Sequence, residues 1–149
     1  MKQSMVNNKQ SLPYGSKVFV DTSWFKAFVD KRDDFYTQAV DQFSKIESER
    51  KSLVTTNFIL DESYTLIRKR VSKVEAYKFR ELLLDLTQIL TLVRITPKDE
   101  NDAWKWFEND WSDLSFTDCT SFAVMKRLDL KDVATFDQHF SRAGFTVFK

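Results

Sequence analysis

Lys17-Val18-Phe19-Val20-Asp21-Thr22-Ser23-Trp24-Phe25-Lys26-Ala27-Phe28-Val29 decides the fold. Val18 to Val20 form a short apolar run rich in β-branched residues, and the run closes on an acid. From Thr22 onward the bulky residues take up helical spacing. A strand that ends on Asp21 and passes at once into a helix is the start of a βα unit.

The same join recurs along the chain. Leu53-Val54-Thr55-Thr56 predicts a second strand, with a helix opening near Asn57 that offers Ile59, Leu60, Tyr64 and Ile67 for burial. Leu92-Val93-Arg94-Ile95 predicts a third. It leads into Thr96-Pro97-Lys98-Asp99, where a hydroxyl N-cap precedes Pro at the first helical position and an acid follows near the positive helix end. Asp132-Val133-Ala134-Thr135-Phe136 predicts a strand ending on Asp137, and Phe145-Thr146-Val147-Phe148 a last one after Gly144. Strands alternating with helices imply an α/β domain with a mostly parallel sheet covered on both faces.

Between these strands, Phe35, Ala39, Phe43 and Ile46 mark an amphipathic helix from Asp33 to about Arg50, with Asp33 or Asp34 as its N-cap. Ala76, Phe79, Leu83, Leu86 and Leu90 line one side of a helix predicted over Lys73 to Leu90, capped by Ser72. The helix after Thr96 is expected to stop near Asn109. A loop over Asp110–Ser115 then precedes a helix from Phe116 to Leu128. Residues 1–16 are polar and carry Pro13 and Gly15, so they read as a flexible N-terminal extension, and the folded domain as 17–149.

The composition fits one globular domain: 149 residues, 42% hydrophobic and 30% charged, with 14 Phe and 4 Trp supplying an aromatic core. A net charge of +1 gives no general attraction for nucleic acid, so any such contact must come from local patches. With two glycines the chain has no GxGxxG or GxxxxGK[ST] phosphate loop. The lone Cys119 excludes an internal disulfide and any CxxC zinc site, and suits a reducing compartment, with the cytoplasm as default. No apolar run approaches the roughly 20 residues needed to span a bilayer.

Four acids, Asp21, Glu62, Asp118 and Asp137, stand where a strand ends or the next helix begins. In a parallel sheet those positions lie along one edge, so residues remote in sequence can converge there. Carboxylates gathered in a cleft repel each other unless a cation holds them, and a hard divalent ion suits an all-oxygen site. Each acid also has a plain structural role open to it. Asp21 and Asp137 can act as caps or turn residues. Glu62 lies one turn after Phe58, on an apolar face, where an ion pair with Arg68 would satisfy it, while Asp61 points about 100° away. Asp118 is surrounded by small and apolar residues near a helix start. Asp113, in the loop, reads as a solvated turn residue. His139, the single histidine, reads as a surface or packing residue in preference to a catalytic one.

Val18-Phe19-Val20-Asp21-Thr22-Ser23, Thr56-Asn57-Phe58-Ile59-Leu60-Asp61-Glu62, Leu114-Ser115-Phe116-Thr117-Asp118-Cys119-Thr120-Ser121-Phe122-Ala123-Val124-Met125 and Ala134-Thr135-Phe136-Asp137-Gln138-His139-Phe140 together resemble the PIN-domain ribonucleases, particularly the VapC-type toxins of toxin-antitoxin modules. The resemblance runs from Lys17 to the C-terminus. It implies a three-layer α/β/α fold with about five strands, and Asp21, Glu62, Asp118 and Asp137 as the acidic quartet, supported by the hydroxyls of Thr22 or Thr117. It also implies metal-dependent hydrolysis of RNA with Mg2+ or Mn2+, a cognate antitoxin and a homodimer.

RNA contact could draw on Arg68, Lys69, Arg70 and Lys73 or on Lys126, Arg127 and Lys131, although each cluster alone reads first as a solvated charged surface, and base stacking on Trp106 and Trp111, the other tryptophans reading as buried. The rival function is a non-catalytic PIN-like module that binds RNA or protein. A phosphotransfer domain is a weaker rival, because Ser23 stands where a dehalogenase-type phosphatase places its second Asp.

Overall fold

The computed structural model describes residues 15–149, so residues 1–14 of the expected extension lie outside the described residues. Among these residues the chain forms five strands and seven helices. In order they are β1 (Gly15–Val20), α1 (Thr22–Val29), α2 (Tyr36–Ser48), β2 (Lys51–Thr56), α3 (Asn57–Arg70), α4 (Lys73–Asp85), β3 (Leu90–Val93), α5 (Pro97–Phe107), α6 (Phe116–Arg127), β4 (Asp132–Ala134), α7 (His139–Arg142) and β5 (Thr146–Val147). All strand pairings are parallel, in the order β3-β2-β1-β4-β5. The helices cover both faces, giving the expected three layers. No helix among the described residues is long and apolar enough to cross a membrane.

This strand order places the site. From β1 the chain steps outward through β2 to β3, then returns to β1's other side to lay down β4 and β5. The reversal between β1 and β4 is the topological switch point, where flanking connections diverge and leave a crevice at the C-terminal strand ends. Val18, Phe19 and Val20 of the central strand are fully buried, as a strand covered on both faces requires. Trp24 and Phe25 of α1, Phe79 of α4, Phe122 of α6 and Phe140 of α7 fill the space around the sheet.

Several boundaries differ from expectation for tertiary reasons. The helix expected to reach Leu90 ends at Asp85, because Leu90 to Val93 pair in register with Leu53 to Thr56. The third strand is accordingly Leu90–Val93, two residues earlier than its apolar run suggests. Beyond it the Ile95 amide donates to Asn57 Oδ1. Neither Asp33 nor Asp34 caps α2, which has no side-chain cap; Asp33 instead accepts the Phe35 amide through Oδ1 and the Lys26 ammonium through Oδ2. Thr96 and Ser115 each form a reciprocal capping box, with Asp99 and Asp118 respectively.

Arg127, part of one of the two basic clusters considered for RNA contact, has a structural partner. Its guanidinium meets the fully buried Asp99 carboxylate with two bonds, Nε to Oδ1 at 2.7 Å and Nη2 to Oδ2 at 3.0 Å, tying α6 to the start of α5. Burial would raise the Asp99 pKa, yet Arg127 and the Thr96 bonds outweigh it and hold the carboxyl below its usual value. Arg127→Ala is expected to cost about 3 kcal/mol in urea unfolding at pH 7, since it strands a buried charge; a loss under about 1 kcal/mol, the ceiling for surface pairs, would show that the pair behaves as one.

Candidate metal centre

Asp21 is the residue immediately after β1, and its position follows from strand register. Val20 pairs with Ala134, so Asp21 lies beside Thr135, and its amide donates to the Ala134 carbonyl at 3.1 Å. One carboxylate oxygen is held on three sides: Oδ2 accepts the Ser23 hydroxyl at 2.8 Å, the Thr135 hydroxyl at 2.9 Å and the Ser23 amide at 3.3 Å. Oδ1 is left without a partner among the described residues. Asp21 therefore is the N-cap of α1, and a cap that has an oxygen to spare. The supporting hydroxyls are Ser23 and Thr135, where Thr22 or Thr117 was expected. Thr22 Oγ1 is buried with no hydrogen-bond partner.

Asp137 follows β4 across the switch point. Its amide donates to Thr135 Oγ1 at 2.9 Å, so Thr135 links the two acids. Asp118 enters from α6, where its amide donates to Ser115 Oγ at 3.0 Å and its Oδ2 accepts the Ser115 amide at 3.2 Å. Glu62 lies half-buried on α3, with no salt bridge to Arg68 or to any other cation among the described residues; Asp61 and Asp113 are exposed. Asp113 takes only a long contact from the Ser112 hydroxyl, as a turn residue would.

Pairwise electrostatics link the four acids: Asp21 responds to Asp137 and Glu62, and Asp118 to Asp21 and Asp137. The Asp21 pKa is raised to about 6, first by burial and then by the charges of Asp137 and Glu62, with the hydroxyls of Ser23 and Thr135 opposing. Asp118 is raised to about 7, first by burial and then by Asp21 and Asp137, with the Ser115 bonds opposing. Neither Lys nor Arg forms a salt bridge with any of the four among the described residues. The Cys119 thiol next to Asp118 is pushed up to about 12 by burial and by that acid, so it stays protonated and serves as packing.

His139 packs against Trp111, within the surface or packing role expected of it, and it also faces the acids. Its Nδ1 lies 2.8 Å from Asp137 Oδ1 and 3.6 Å from Asp118 Oδ2, and one donor atom from each of the three residues falls within 4.8 Å of the others. Nε2 lies 2.7 Å from the Ser112 carbonyl, which can only accept, so Nε2 carries a proton. Burial works against a charged ring, but Ser112, Asp137 and Asp118 outweigh it and raise the His139 pKa. The D-x-H spacing was visible in the sequence. What could not be seen there was the Ser112 carbonyl, 27 residues away, that turns the ring toward the acids.

Trp106 and Trp111 pack inward where exposure was expected. Both lie against Phe122, and Trp111 stacks parallel to the His139 ring with centroids 6.3 Å apart. The exposed tryptophan is Trp104, at 57%. Beside the acids, Ser112, Asp113, Phe136, Asp137, Gln138 and His139 line an open depression of about 470 Å³. Arg142 lines an adjoining depression that shares Ser112, Gln138 and His139 with it, its guanidinium 4.7 Å from the centre of the Trp111 ring.

A parallel sheet in this order, with buried acids at its switch point, defines the class: the chain belongs to the PIN domain family, whose sequence profile matches residues 18–146. Among particular relatives, it is 31% identical over 129 residues to the 23S rRNA-specific endonuclease VapC20 of Mycobacterium tuberculosis, an alignment covering 86% of this chain and 95% of that protein. The crystal structure of M. tuberculosis VapC20, described as a Sarcin-Ricin loop cleaving toxin, superimposes with a TM-score of 0.75 at 30% identity, over 87% of this chain and 96% of that one. FitAcB from Neisseria gonorrhoeae shares the fold at 13% identity and a TM-score of 0.63, over 89% of this chain and 96% of that one.

Proposed function

We propose that this chain is an endoribonuclease, the toxin of a toxin-antitoxin module, and that Asp21, Glu62, Asp118 and Asp137 hold the divalent cation, Mg2+ or Mn2+, on which hydrolysis depends. The observation that supports this most is the pair of nearly fully buried carboxylates, Asp21 and Asp118, set beside Asp137 and Glu62 with no lysine or arginine among the described residues paired to any of them. An acidic site of this kind fits a hard cation, because oxygen donors converge and each raises the energy of the others. When bound, such an ion lowers the pKa of a water and offsets charge on the phosphate.

The chain's own residues supply the rest. Ser23 and Thr135 fix Asp21 through one oxygen, so that the other is presented without a search over rotamers. The Ser115 capping box does the same for Asp118. Arg142 offers an RNA phosphate a cation in the adjoining depression, and the exposed Arg68, Lys69 and Arg70 at the end of α3 add a second patch.

The substrate we assign is 23S rRNA, on the strength of 31% identity across nearly all of VapC20. A small antitoxin whose basic side chain enters the acidic cleft, and a homodimeric assembly, complete the proposal. The test is incubation of the purified chain with intact ribosomes and with total RNA, with Mg2+, Mn2+ or EDTA. A discrete 23S rRNA fragment that requires the metal is expected. Uncut RNA, together with a melting temperature indifferent to millimolar Mg2+ or Mn2+, would favour the binding-module function instead.

A further inference from the structure

We propose that His139 Nδ1 is itself a ligand of the cation, so that the donor set is mixed, carboxylate oxygens with one imidazole nitrogen, and the site takes Mn2+ in preference to Mg2+. This rests on the metal-site assignment above and adds a ligand that an all-oxygen site lacks.

Three observations carry it. The first is the tautomer. The Ser112 carbonyl fixes the proton on Nε2, 2.7 Å away, and in a neutral ring that leaves Nδ1 as a lone pair. A histidine that ligates a metal through one nitrogen while donating the other N–H to a backbone carbonyl is the usual arrangement at such centres. The second is the unmet atom. Nδ1 is buried in a residue only 6% exposed and has no hydrogen-bond partner among the described residues, its nearest charged neighbour being Asp137 Oδ1 at 2.8 Å. A buried polar nitrogen left in that condition costs free energy, and a cation placed between it and the acids removes the cost.

The third is spacing. Ligand atoms about 2.0 to 2.2 Å from a six-coordinate ion stand about 3 Å apart at neighbouring vertices, and the separations of 2.8 Å and 3.6 Å from Nδ1 to Asp137 and Asp118 bracket that value. The ring is also held in place. Its plane lies within 4° of the Trp111 ring, and its backbone amide donates to Asp137 Oδ1 at 2.9 Å, which fixes the acid and the imidazole relative to one another. Imidazole favours transition ions over Mg2+, which keeps to oxygen; hence the predicted preference.

His139 is the chain's single histidine, so nitrogen coupling from a bound imidazole can be assigned without labelling. The experiment is electron spin-echo spectroscopy of the tag-free chain with one equivalent of Mn2+. The expected result is nitrogen modulation characteristic of a directly bound imidazole. In His139→Gln the modulation should vanish while Mn2+ still binds, about tenfold more weakly, with the loss for Mg2+ under about threefold. Mn2+ bound to wild type with only carboxylate and water couplings would overturn the His139 assignment and leave the nuclease proposal standing. Failure of wild type to bind Mn2+ at all would overturn both. The wild-type spectrum decides the matter even if the variant does not fold.

Discussion

Asp118→Asn and Asp21→Asn are each expected to lower RNA cleavage by about a thousandfold or more while making the cation-free protein more stable. The rate loss corresponds to roughly 4 kcal/mol of activation free energy, a size that fits removal of a ligand charge from a metal-assisted hydrolysis. The gain in stability has a separate cause. Both carboxylates are nearly inaccessible to water and their pKa values are raised, to about 6 and about 7, so at pH 7.5 without metal the fold keeps them ionised at a cost. Asn has the same shape and no charge. At position 118 its side-chain carbonyl can still accept the Ser115 amide, and at position 21 it can still accept from Ser23 and Thr135. A gain of about 1 to 2 kcal/mol, a few degrees in melting temperature, is the expected magnitude.

Calorimetry in EDTA alongside a cleavage assay separates this from a structural role. Asp99 shows what a structural acid looks like: it is just as buried, but a bidentate Arg127 lowers its pKa. Loss of cleavage with a gain in cation-free stability marks a residue placed for function at the expense of the fold. If either Asn variant cuts at the wild-type rate, the residue replaced is not part of the centre.

The acids could be read from the sequence because each sits at the end of a strand or the beginning of a helix, and a parallel sheet turns that local fact into a shared edge. Asp21 needed only the run Val18-Phe19-Val20 before it, and Asp137 only Val133-Ala134 before it. The groups that aim them could not be read in this way. Thr135 reaches Asp21 across 114 residues, through a strand pairing whose register no local pattern specifies. Ser112 reaches His139 from a loop that sequence marks only as a loop. The same limit explains Trp106 and Trp111. Both sit in polar stretches, and only the position of Phe122 across the α5–α6 packing shows that they face inward. Arg127 showed in the sequence only as one member of a basic cluster, because its partner Asp99 lies 28 residues away. In each case the missing information is a long-range contact, and the part that was legible is the part whose position depends on chain direction alone.

The cation-free protein is expected to be most stable at about pH 4 and to lose stability steadily toward pH 8, and a divalent cation should reverse that decline. The signs follow from the groups in the cleft. Asp21 and Asp118 have folded pKa values above their ordinary 3.8, so between pH 4 and 7 the folded chain binds more protons than the unfolded one, and stability falls as pH rises through that window. A shift of about two units, as for Asp21, is on the order of 3 kcal/mol, and the contributions of the two acids do not simply add, because Asp21 raises Asp118 and Asp137 raises both. His139 acts in the same direction. Its raised pKa gives stability that is present in full below 6.5 and is lost as pH climbs through the folded value. Asp30 and Asp99 act oppositely. Lys26 lowers the first, and Arg127 with Thr96 lowers the second against burial, so their contributions disappear as pH falls below 3.8 through their folded values. The maximum therefore lies between these two sets.

A cation binds the ionised acids and competes with their protons, so its stabilisation grows with pH. At a concentration a hundred times its dissociation constant it contributes about 2.7 kcal/mol, comparable to what the acids lose. Thermal unfolding from pH 4.5 to 8.5, in EDTA and in 5 to 10 mM Mg2+ or 1 mM Mn2+, about the range needed for such saturation, should give a falling curve and a flat or rising one that separate above pH 6. Parallel curves would mean that the ion binds away from these acids. A cation-free protein as stable at pH 8 as at pH 5 would mean that the acids are neither as buried nor as close as the fold places them.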